Sequence, residues 1–85
     1  MLIFDEFPNR AAADEFAVKI RSEFDRSVVV YDDVKEAQAV DPFPFGLTAP
    51  VVHVSRRYEF TDRDIADETA IVESVSDFGG QFAGT

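Results

Sequence analysis

From Arg10 to Phe24, apolar residues return at helical spacing, so that Ala13, Phe16, Ala17, Ile20 and Phe24 share one face. Strand-forming residues bracket this segment: Leu2, Ile3, Phe4 and Phe7 before it, and the run Val28–Tyr31 after it. Pro8 and Asn9 separate the first strand from the helix, and Asn9 is a good capping residue. Asp14 and Glu15 lie early in the helix and Lys19 and Arg21 late, the order a helix dipole favours. The chain therefore begins strand–helix–strand, and a helix with one apolar stripe must lie on a sheet to cover it.

The second half continues the pattern. Asp32 and Asp33 end the second strand, residues 34–40 read as a helical turn or an irregular segment, and Asp41–Gly46 reads as a loop stiffened by Pro42 and Pro44. Residues 51–60 alternate, with Val52, Val54, Tyr58 and Phe60 on one side and Val51, His53, Ser55, Arg57 and Glu59 on the other, as in a half-buried strand. Thr61 and Asp64 form a capping-box pattern that opens a second helix, and Gly79-Gly80 is its stop. Ile65, Ile71, Val72, Val75 and Phe78 give this helix a broad apolar side, although the β-branched cluster at 69–75 also permits a strand. One conflict stands out: Asp64 and Glu68 project towards that apolar side. Gln81–Gly84 is a short candidate last strand. The predicted fold is α+β, a small antiparallel sheet with two helices on one face, β-α-β-β-α with an optional terminal β, ferredoxin-like or a truncated variant.

Eighty-five residues make a single domain with a thin core, for which nine phenylalanines supply large units of buried area. No cysteine is present, which removes disulfides, thiolate metal sites and a cysteine nucleophile. No apolar run approaches the roughly 18 residues of a membrane span, and the apolar start at residues 1–7 is too short for a signal peptide. The expected location is the cytosol, the protein's own or a host's.

Charge is unevenly spread. Residues 61–77 carry six acids (Asp62, Asp64, Asp67, Glu68, Glu73, Asp77) and one base, Arg63, out of a chain total of 17 acids and 8 bases. Such a surface repels nucleic acid and anionic membrane and attracts basic protein surfaces. Arg56-Arg57 is the only basic pair, and no aromatic-and-basic nucleic-acid pattern accompanies it.

Catalytic signals are weak. His53 is the only histidine; with Ser55 and Arg57 it would lie on an uncovered sheet face, but that spacing is not a triad. Asp32, Asp33 and Asp41 would suit only a hard-oxygen cation, and Asp62-x-Asp64 lacks the rest of an EF-hand. No cofactor or metal is expected.

The expected function is that of a non-enzymatic interaction protein. Asp62, Asp64, Asp67, Glu68, Glu73 and Asp77 would meet a basic surface of another protein, and Phe43 and Phe45 would anchor it. In its sharper form the chain imitates a row of phosphates and covers a nucleic-acid-binding groove, as inhibitors from phages and mobile elements do. The alternatives are a structural or oligomerisation domain, a possible homodimer pairing through Val28–Tyr31 or Val51–Ser55, and a small-ligand binder or enzyme using His53 and Arg57.

Overall fold

A computed structural model describes residues 1–31, 50–55 and 61–85. The elements are β1 (Leu2–Asp5), α1 (Arg10–Phe24), β2 (Val28–Tyr31), β3 (Val51–Val54), α2 (Asp62–Ser74), a 3-10 turn (Val75–Phe78) and β4 (Gln81–Gly84). The strands form one antiparallel sheet in the order β2-β3-β1-β4. Each β-α-β unit thus straddles a strand of the other, and the topology is the complete ferredoxin-like β-α-β-β-α-β, terminal strand included. The 69–75 cluster is helical through Ser74 and then tightens into the 3-10 turn.

The ends of the elements follow local chemistry. Asn9 Oδ1 accepts from the Ala12 N–H at 2.8 Å and starts α1. Asp25 ends it in the left-handed region at φ 50°, a conformation that a short polar side chain tolerates. Thr61 and Asp64 close a reciprocal capping box at the start of α2. Gly79 ends the 3-10 turn at φ 78°, where only glycine is unstrained. Gly80 lies so close to Phe7 that an added Cβ would sit 2.6 Å from its ring.

The core lies between the sheet and the helices. Leu2, Phe4, Val28, Val52 and Val54 face Ala13, Phe16, Ala17 and Ile20 of α1, Ile71 of α2 and Val75 of the turn. Phe16 is the hub: its ring lies 5.0 Å from Phe4, 5.5 Å from Phe7 and 5.6 Å from Phe78, centroid to centroid. These tilted and edge-on contacts add to the area the rings bury.

The opposite face of the sheet is not open. Ile3 and Val51 are buried there in a second cluster with Met1, Tyr31 and Ala83, so all four residues of β3 are buried rather than alternate ones.

Candidate interaction surface

The six acids predicted to act together take three kinds of position. Asp62, Glu73 and Asp77 are exposed, Asp67 and Glu68 are half-buried, and Asp64 is fully buried. Helical geometry explains the division. At about 100° per residue, Asp62 and Glu73 fall on nearly the same outward line of α2, about 16 Å apart along its axis. Exposed Ala66, Thr69 and Ala70 lie between them, and Ile65, expected on the apolar side, is instead 53% exposed beside them. Asp64 falls on the inward side with Ile71. It is therefore removed from the predicted exterior set, and the six acids do not form one stripe.

Asp64 has an internal role. Its Oδ2 accepts from the Thr61 N–H at 2.8 Å and the Thr61 hydroxyl at 2.9 Å, while Oδ1 accepts from Arg26 Nη2 at 2.9 Å. Both side chains of the Arg26–Asp64 pair are completely buried. Desolvating two charges is expensive, so such a pair adds little net stability, but losing one partner strands the other. Arg26 Nε and Nη1 have no hydrogen-bond partner among the described residues, which raises the cost of burying the guanidinium.

Sequence reasoning missed Arg26. Two signals bear on it: Asp64 was already seen to point at the apolar side of α2, and residues 26, 28 and 30 share parity. Val28 and Val30 face the helices, so the position two before Val28 faces them as well.

Elsewhere, exposed charges behave differently. On α1, Arg10 meets Asp14 at 2.9 Å and Lys19 meets Glu23 at 3.0 Å. The one base of α2, Arg63, approaches Asp67 only to 3.9 Å. Asp62, Glu73 and Asp77 enter no ion pair among the described residues.

The proposed catalytic face is corrected. His53 is 3% exposed and stacks edge-on against Tyr31, with centroids 4.9 Å apart, so it does not stand on an uncovered sheet surface. Ser55 is exposed, and its backbone N–H donates to the Ser27 carbonyl at 2.8 Å. The pairing proposed through Val51–Ser55 is corrected too: β3 is hydrogen-bonded on one side to β1 and on the other to β2, and has no free edge. Val28–Tyr31 is an edge strand of the described sheet.

Phe43, Phe45, Arg56, Arg57, Asp32, Asp33 and Asp41 lie outside the described residues, as do the predicted segments at 34–40 and 56–60. Among the described residues, no cluster of three or more His, Asp or Glu side chains is placed to hold a metal ion. One described carboxyl is perturbed: burial, helped by the neighbouring charge of Glu6, raises the pKa of Asp5 above its usual 3.8.

No protein-family model, curated protein or solved structure matches the chain.

Proposed function

We propose that the chain is a non-enzymatic interaction module that binds a basic surface of another protein through the outward side of α2. The observation that carries this reading is the contrast between exposed acids. On α1 two of the three acids, Asp14 and Glu23, are paired with a base one turn away and only Glu15 is not, whereas Asp62, Glu73 and Asp77 are all exposed and without an ion pair among the described residues. Glu73 and Asp77 also lie at the C-terminal end of α2, where no base balances the negative end of the helix dipole. Cations from a partner would pair with all three and would relieve Glu73 and Asp77 most. The small side chains of Ala66, Thr69 and Ala70 let a partner approach between the two acidic ends, where Ile65 is also exposed. Phe43 and Phe45, stiffened by Pro42 and Pro44, are the apolar anchors suggested by the sequence. The sharper form of the proposal is a cover for a nucleic-acid-binding groove.

The test is binding of the full chain to a labelled lysine-rich peptide and to duplex DNA. The peptide should bind and the DNA should not. Affinity for the peptide should fall at least about tenfold between about 0.05 M and 0.5 M salt, as the screening length shrinks from about 14 Å to about 4 Å. The variant Asp62→Asn/Glu73→Gln/Asp77→Asn should fold normally and bind more weakly. An affinity indifferent to salt would refute the reading. The groove-covering form further requires that the chain displace DNA from its complex with the peptide.

A further inference from the structure

The two edges of the sheet differ. At β2, the Ser55 N–H meets the Ser27 carbonyl, so by the alternation of a strand the Val28 carbonyl points away from β3. Arg21 of α1 reaches over and donates Nη2 to that carbonyl at 2.7 Å. A long charged side chain thus occupies the β2 edge, a usual device against unwanted strand pairing.

The β4 edge has no such guard among the described residues. Its Phe82 leans on Phe4, with centroids 5.4 Å apart, and still exposes 41% of its surface. Its first residue, Gln81, pairs with Asp5. The following residues of that loop, Phe7 and Pro8, pack against Gly80 and Gly79. Exposed Glu6 is therefore held beside the start of β4, and exposed Asp77 lies just before it. Residues 1–9 and 75–85 contain three acids (Asp5, Glu6, Asp77) and no lysine, arginine or histidine. A strand edge unpaired among the described residues, a half-exposed aromatic ring and charge of one sign thus occur together.

We propose that β4 receives an extended, lysine- or arginine-bearing segment of the partner as a fifth strand. Main-chain hydrogen bonds would come from the β4 edge, apolar contact from Phe82, and charge from Glu6 and Asp77. This rests on the reading above and supplies the partner's form: a basic strand rather than a basic helix or globular face. A second copy of the chain fits poorly, since each molecule carries a net charge of −9 and offers no lysine, arginine or histidine at this edge. The pairing of β1 with β4 is irregular between Phe82 and Gly84, which leaves a short regular stretch and makes charge more important in choosing the occupant.

The experiment uses the full isotope-labelled chain with two short peptides in which lysine alternates with valine, one of them N-methylated at every residue. The methylated peptide keeps its charge and loses its strand-pairing N–H groups. The expected result is a set of amide shifts and slowed hydrogen exchange centred on Gln81–Gly84 with the first peptide, abolished with the second. Glu6→Gln/Asp77→Asn should weaken that binding about two- to tenfold. Equal binding of both peptides would overturn strand addition and leave the basic-partner reading standing. Shifts centred on Val28–Tyr31, or exchange protection of β4 that depends on the chain's own concentration, would overturn it as well. Failure of both peptides to bind would overturn it together with the reading on which it rests.

Discussion

The two helices lie on the same face of the sheet and hold to it by different means. α1 buries Ala13, Phe16, Ala17 and Ile20, while α2 buries Ile71 and the charged Asp64. α1 contains three acids and three bases, and α2 with its following turn contains six acids and one base. One helix is thus held by apolar packing and balances its own charge. The other is fixed at its first turn by a buried ion pair and carries excess charge outward. Packing of aromatic rings is forgiving in chemistry and demanding in volume; a buried ion pair is the reverse, since it fails when either partner is lost. The helix with less apolar area is also the one free to present charge.

Substitutions test this difference directly. Phe16→Ala should cost about 3–5 kcal/mol, because it empties the centre of the aromatic cluster. That is a large share of the roughly 4–13 kcal/mol expected for a chain of this length, and denaturant unfolding will show it. Arg26→Met should cost about 3–5 kcal/mol for a different reason, the loss of the buried ion pair with Asp64. The two are separated by a second change: Arg26→Met/Asp64→Leu should recover part of the loss, less the cap that Asp64 gives α2, whereas no single partner substitution should rescue Phe16→Ala. A double variant no more stable than Arg26→Met alone would show that the pair does not act as a unit.

Thr61→Ala should cost about 1 kcal/mol, because the cap of α2 loses its hydroxyl while Asp64 keeps Arg26. Asp5→Asn should stabilise the fold by less than that at neutral pH. The folded state holds the Asp5 proton more tightly than the unfolded chain, so ionised Asp5 destabilises the fold as pH rises above its usual 3.8. The difference in melting temperature between variant and parent should therefore vanish below that pH; a gain that persists in acid would place its origin elsewhere. The smallest effect is that of salt. Added salt should raise the melting temperature by a few degrees as repulsion around α2 is screened. A lower melting temperature in 0.5 M than in 0.05 M salt, roughly 4 Å against 14 Å of screening length, would mean that attractive pairs such as Arg10–Asp14 and Lys19–Glu23 outweigh it.

Most of the fold was legible in the residues because periodicity and punctuation agree. The stripe from Ala13 to Phe24, the Asn9 and Thr61 caps and the Gly79-Gly80 stop each correspond to a feature of the structure. The candidate surface was only partly legible. Counting acids located α2, but charge along a sequence says nothing of azimuth around a helix, and the conflict at Asp64 was the sign that one acid turns inward. Arg26 escaped because a single base in a turn has no periodic signature; its role comes from a residue 38 positions away. The burial of His53 escaped for a related reason. Alternation predicts which residues share a face, whereas burial depends on what lies over that face.

The position of β1 has a consequence for how the chain is made. Leu2–Asp5 leave the ribosome before the other strands, yet β1 lies between β3 and β4, so neither hydrogen-bonding neighbour exists until both later strands have been synthesised. Loop closure between Ile3 and Gly84 is the most distant strand contact in the molecule. In the interval the emerging α1 can shield Phe4 with Phe16 on one side only, and Ile3 waits uncovered. A nascent chain halted before Gln81 should therefore be the species most prone to aggregate and to be held by chaperones.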